Sequence, residues 1–98
     1  MSKLTVIATI KAKDGKSSEV RAELLKLIGP TRSEAGCINY DLHVMQEDPN
    51  CFVFYENWKS KEDLDQHLAT PYISAFIGKA DDLLAEPVDI QLLDMVSV

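Results

Sequence analysis

Two alternating segments, CINYDLHVMQ at 37–46 and CFVFYENW at 51–58, stand only four residues apart. Their pairing constrains the fold more than any other feature of the chain. In a strand, successive side chains leave opposite faces. Ile38, Tyr40, Leu42 and Val44 then share one face of the first segment, and Cys37, Asn39, Asp41, His43 and Met45 the other. In the second segment Phe52, Phe54 and Trp58 oppose Cys51, Val53 and Tyr55. The intervening EDPN reads as a turn, so the two segments form a hairpin or near-hairpin.

The flanks complete a symmetrical order. LTVIATIK at 4–11 alternates as a strand, with Leu4, Val6, Ala8 and Ile10 on one face, and runs to the turn pair Asp14-Gly15. KSSEVRAELLKLI at 16–28 carries Val20, Leu24, Leu27 and Ile28 at helical spacing. Gly29-Pro30 is expected to break that helix, with one more turn in PTRSEAG. After the hairpin, Ser60 and Asp63 have capping-box spacing and open a helix to about Leu68. Thr70 as cap and Pro71 as first residue start another, with Tyr72, Ile73, Phe76 and Ile77 in helical register, to about Leu84. Pro87 stops it, and VDIQLLDMV at 88–96 is the last strand. The order β-α-β-β-α-β predicts one α+β domain over residues 1–98. Its layout is ferredoxin-like: a four-stranded antiparallel sheet with helices on one face.

Helices on one face leave the other needing polar residues or a cover. The uncovered set is not polar: Cys51, Val53 and Tyr55 in the third strand, and apolar residues on both sides of the fourth. Two-fold packing of this face on a second copy is the simplest cover. The expectation is a homodimer, a dimeric α/β barrel closed by sheet-to-sheet packing.

A net charge of −6 and scattered Lys and Arg exclude a concentrated phosphate-binding surface, so neither nucleic acid nor an anionic membrane is an expected partner. No apolar run approaches 18 residues, and no secretory signal is visible, which points to the cytoplasm. Cys37 and Cys51 read as buried thiols, with a disulfide between neighbouring strands as the alternative. HExxH, CxxC, GxGxxG, Walker and GxSxG patterns are missing from the sequence, so no metal or cofactor is expected.

Chemistry concentrates in YENWKSKEDLDQHLATPYISAF at 55–76. His67 follows Leu64 by three residues and faces inward, as a structural imidazole or as a general base. Trp58 ends a strand, as core packing or as a flat wall for a planar substrate. Tyr72 sits just inside the helix that starts at Pro71, packing its ring or holding a substrate oxygen. Asn57 leaves the strand opposite to Trp58, which favours a structural or interface role over a shared cavity. Outside this stretch, His43 beside Asp41 reads as surface or interface, and Arg32 as a partner for Glu34 or another carboxylate.

The pieces VIATIKAKDGK at 6–16, PTRSEAGCINYDLH at 30–43 and FVFYENWKSKEDLDQHLATPYISAF at 52–76 together resemble the antibiotic biosynthesis monooxygenase domain family, including its quinol monooxygenase-like members. The resemblance covers nearly the whole chain. It implies a ferredoxin-like subunit in a dimer with packed sheets. It also implies oxidation of phenols or quinols by dioxygen without metal or flavin. Asn57, Trp58, His67 and Tyr72 are the positions that map onto the family's site. Tyr72 stands where relatives often carry His, which removes a two-histidine arrangement. Haem-degrading members use an Asn in the first strand, which VIATI does not offer. The expected reaction has His67 deprotonating a small quinol or phenol, Trp58 and Phe76 holding the ring, and Tyr72 or Asn57 orienting an oxygen. Two alternatives stand beside it. One is an isomerase acting on a small oxygenated metabolite, such as a signalling-molecule derivative. The other is a non-catalytic dimeric binding or stress-associated domain.

Overall fold

The computed structural model describes residues 3–97; Met1, Ser2 and Val98, the outer limits of the expected 1–98 domain, lie outside it. Four strands, β1 (Leu4–Lys11), β2 (Cys37–Met45), β3 (Asp48–Trp58) and β4 (Asp89–Leu93), form one sheet in the order β2-β3-β1-β4. Every neighbouring pair is antiparallel. Helices α1 (Ser17–Arg32), α2 (Lys61–Leu68), α3 (Pro71–Gly78) and α4 (Ala80–Leu83) complete the order. The helices lie on one face, as the ferredoxin-like reading requires.

Strand alternation explains the core. Val6, Ala8 and Ile10 of β1 lie beside Glu56, Phe54 and Phe52 of β3, and all six are buried under the helices. From α1, Val20, Leu24 and Leu27 pack onto this face, and Leu64, Ile73 and Phe76 come from α2 and α3. Full burial of such side chains contributes about 1.5–3 kcal/mol each, which outweighs local preferences.

That surplus accounts for the first correction. Gly29-Pro30 does not break α1, which continues through Pro30 to Arg32. Pro30 lacks an N–H for one helical bond near the end of the helix, while buried Leu27 and Thr31 on either side hold the last turns down. The turn is also shorter than EDPN: only Gln46 and Glu47 turn, and Asp48, Pro49 and Asn50 join β3 across a register shift. A second shift between Cys37 and Asn39 leaves Ile38 as the extra, exposed residue, so it does not share the face of Tyr40.

Two further boundaries move. The expected helix from Pro71 to Leu84 divides into α3 and α4 at Lys79, and β4 ends at Leu93 rather than 96. Thr70 precedes Pro71 as expected, but its hydroxyl donates to the His67 carbonyl at 2.8 Å instead of capping α3. Cys37 is half-buried and Cys51 buried; both are free thiols. Among the described residues, no helix is long and apolar enough to cross a membrane.

Candidate active site

Between sheet and helices lies a cavity of about 70 Å³. Tyr40, Phe54, Leu24, Leu27, Leu64 and Phe76 make most of its wall, and Glu56 and His67 bring the ionisable groups. Its lining reaches solvent at Leu68, Ile77 and Ile90, which mark the mouth. Ile77, Val88 and Ile90 also border an open groove of about 660 Å³ outside it. A benzene ring needs a cavity of roughly 150 Å³. An aromatic ligand therefore has to widen the mouth, where exposed side chains on α2, α3 and β4 have room to move.

His67 comes from the last turn of α2, whose start is fixed by the capping box. Asp63 N–H donates to Ser60 Oγ at 3.2 Å, and Ser60 Oγ donates to Asp63 Oδ2 at 2.9 Å. From there Leu64 and His67 fall on the buried stripe, and His67 is only 2% exposed. Its Nδ1 lies 2.8 Å from Glu34 Oε2. An ionised carboxylate only accepts, so Nδ1 carries a proton in this contact, and in the neutral imidazole Nε2 is the nitrogen with the lone pair. Among the described residues Nε2 has no hydrogen-bond partner, and the ring borders the cavity. Such an arrangement can serve as an oriented general base.

Glu34 was not singled out as a site residue by the sequence. It lies in the loop between α1 and β2 and accepts from both His67 Nδ1 and the Tyr72 hydroxyl. Gly36 lets this loop approach. A Cβ there would sit 2.2 Å from Asp63 Cγ and 2.4 Å from Asp63 Cβ, so only glycine permits the loop to lie against the start of α2. Burial and the Glu34 hydrogen bond push the Tyr72 hydroxyl up to about 12. It therefore remains a donor at neutral pH, anchoring Glu34.

Trp58 corrects a further expectation. It is fully buried and is not part of the cavity wall. Instead it backs His67, ring centroids 4.6 Å apart and tilted by 37°, and its Nε1 donates to Glu56 Oε1 at 2.8 Å. The aromatic surface offered to a ligand is that of Tyr40, Phe54 and Phe76; Tyr40 stacks on Phe54 at 4.3 Å and meets His67 edge-on at 5.5 Å. Phe76 lines the cavity.

Glu56 is the other residue missed. It is 3% exposed, and burial pushes its carboxyl up from 4.5 to about 7, against the opposing hydrogen bond from Trp58. Strand alternation held the signal: Glu56 lies between Phe54 and Trp58 on the face those residues bury.

Asn57 points to the other side of the sheet and does not meet His67. Thr5 Oγ1 donates to its Oδ1 at 2.6 Å, and its Nδ2 donates to Asn39 Oδ1 at 2.8 Å. His43 is exposed on that same face, level with Val53. Arg32 pairs with Asp41 at 3.0 Å and with the Tyr40 carbonyl, not with Glu34. So of the four expected site residues, His67 borders the cavity, Trp58 and Tyr72 hold its hydrogen-bonded surroundings, and Asn57 lies outside. Among the described residues, no group of three His, Cys, Asp or Glu side chains is placed to hold a metal ion.

Residues 3–79 match the family model described as antibiotic biosynthesis monooxygenase. The chain belongs to this family. Protein sll1783 of Synechocystis is 39% identical over 91% of this chain, which spans about 60% of that relative's length. The crystal structure of PA3566 from Pseudomonas aeruginosa superposes with a TM-score of 0.94 at 35% identity, over 99% of this chain and 97% of that one. The crystal structure of an antibiotic biosynthesis monooxygenase superposes at 0.89 with 33% identity, over 96% of this chain and 99% of that one. Family and fold agree with the resemblance carried by the three sequence stretches. A monooxygenase-type activity is consistent with this membership.

Proposed function

We propose that the protein is a cofactor-independent monooxygenase acting on a small quinol or phenol, with His67 as base. The observation that carries this reading is the oriented imidazole: Glu34 engages Nδ1, and the ring faces an apolar cavity with aromatic walls. Nε2 takes a phenolic proton. The resulting electron-rich ring anion gives one electron to dioxygen, and the two radicals couple at a ring carbon. Loss of water from the peroxide leaves a carbonyl on that carbon. One oxygen atom enters the product, the other leaves as water, and the ring supplies all the electrons. The protein contributes deprotonation, positioning and exclusion of bulk water. Phe76, Phe54 and Tyr40 hold the ring, while Trp58 fixes the plane of His67 from behind and Tyr72 anchors Glu34.

The working form in this proposal is a homodimer with sheets packed face to face. Tyr55 and Leu93 on the uncovered face, 39% and 43% exposed, support it, beside half-buried Ile7 and Val53. Sedimentation giving a monomer at micromolar concentration would contradict the dimer.

A proton-transfer reading draws on the same cavity, because Glu56 supplies a second acid–base group beside His67. An isomerase would use the two to move a proton next to a carbonyl. Oxygen uptake over a panel of hydroquinones and phenols separates the readings. Uptake that depends on His67 supports the oxygenase; product formed without oxygen supports the isomerase. Ligand binding with neither activity leaves a binding module.

A further inference from the structure

Glu56 has no part in the deprotonation by His67, yet it occupies the most costly position in the cavity. A buried carboxyl loses its hydration, and a single hydrogen bond offsets only part of that loss. Its structural duty is small: Oε1 accepts the indole N–H of Trp58 at 2.8 Å, a role that an amide fills equally well. Oε2 has no hydrogen-bond partner among the described residues. The atom is not sealed in either. Among the described residues, Thr31 Oγ1 is the side-chain polar atom that is fully enclosed without a partner, and Glu56 Oε2 does not share that condition. The residue lines the cavity and is 3% exposed, which puts its carboxyl at the cavity rather than at the protein surface. Besides the Tyr40 hydroxyl, the largely apolar chamber thus presents two groups with spare hydrogen-bonding capacity, His67 Nε2 and Glu56 Oε2.

We propose that Glu56 binds a second oxygen substituent on the ring whose first hydroxyl meets His67, so that the site selects a dihydroxylated arene over the matching monophenol. The ionised carboxyl accepts from a hydroxyl, and the protonated carboxyl donates to the carbonyl that replaces it on oxidation. A monophenol leaves Oε2 dry and unpartnered, and that unmade bond is the source of selectivity. The inference rests on the His67-centred reading for the nature of the ring. Its test is a binding measurement that needs no turnover, so the two can fail separately.

Binding is measured without oxygen by the fluorescence of Trp58, the single tryptophan, which touches both His67 and Glu56. The ligands are 1,4-dihydroxynaphthalene and 1-naphthol. Wild type is expected to prefer the dihydroxy compound by about tenfold, the worth of one hydrogen bond to a charged or acidic group. In E56L both ligands bind within about twofold of each other. A second measurement on wild type does not depend on that variant folding. At about pH 5 Glu56 is protonated, and its carboxyl stretch in infrared difference spectra should shift with 1,4-dihydroxynaphthalene and not with 1-naphthol. The band should be lost in E56Q. A preference that survives in E56L, no preference in wild type, or an identical infrared response to both ligands would overturn the assignment. Selective binding with no oxygen uptake would sink the oxygenase reading and leave this one standing.

Discussion

The two faces of β3 bury polar side chains under opposite conditions. On the uncovered face Asn57 belongs to a continuous chain: Thr5 to Asn57, Asn57 to Asn39, Asn39 to Asp41, and Arg32 to Asp41. One residue either side, under the helices, Glu56 and Trp58 hold each other, and Glu56 keeps an unused oxygen beside the cavity. A network whose members satisfy one another has little left for a ligand and serves to fix strand register. A polar pair with spare capacity in an apolar chamber is costly unless something binds there. The difference separates a structural cluster from a candidate site, although both sit within three consecutive residues.

Four substitutions test that contrast, from the largest effect to the smallest. Glu34 orients His67, so E34Q should lower kcat by about 10–100-fold with KM nearly unchanged, read by steady-state oxygen uptake. If kcat holds, the Glu34 contact is structural only.

Glu56 makes the next prediction, about stability. Its carboxyl is raised in the folded protein, from 4.5 to about 7. The folded state therefore keeps a proton that the unfolded chain releases. The stabilising contribution is complete below about pH 4.5 and is lost as pH rises through about 7. Between those limits wild type should lose roughly 3 kcal/mol relative to E56Q, at about 1.4 kcal/mol per pH unit. Urea unfolding at several pH values measures it; parallel stability curves for the two proteins would refute the burial argument.

On the opposite face N57A should cost about 1–3 kcal/mol, because Thr5 and Asn39 each lose a partner. Denaturant midpoints read this directly, and the loss should be the same across pH 5–8 since no member of the pair Asn57–Asn39 titrates. Smallest of all, Y72F removes one hydrogen bond to Glu34 and should cost about 1 kcal/mol with a modest fall in kcat. A fall as deep as that of E34Q would promote Tyr72 from anchor to reacting group.

Much of this architecture was legible because the sheet is patterned at period two and the helices at period 3.6. The strands of Leu4–Lys11 and Cys37–Met45, the cap at Ser60 and the helix start at Pro71 all follow from local chemistry. Gly29-Pro30 misled because local propensity lost to the packing of Leu27 and Thr31 on either side of it. His67 was legible from its place on the buried stripe of α2. Glu34 was not, since its contact spans 33 residues in sequence and depends on the close approach at Gly36. Glu56 was within reach, because its alternation with Phe54 and Trp58 put a carboxylate on a face that has to be dry. Trp58 invited the reading of a wall, and only the tertiary placement of His67 across its ring turned it into a support.

In the proposed function, chemistry belongs to the helix-covered face of β3 and not to the uncovered one. Oxygen uptake on one dihydroxynaphthalene, with wild type, H67A and N57A measured side by side after confirming that each is folded, tests it most directly. H67A should lose about 10²–10⁴ in rate, as expected for a removed general base, and N57A should stay within about twofold of wild type. Equal activity of H67A and wild type, or a loss in N57A as large as in H67A, would contradict it.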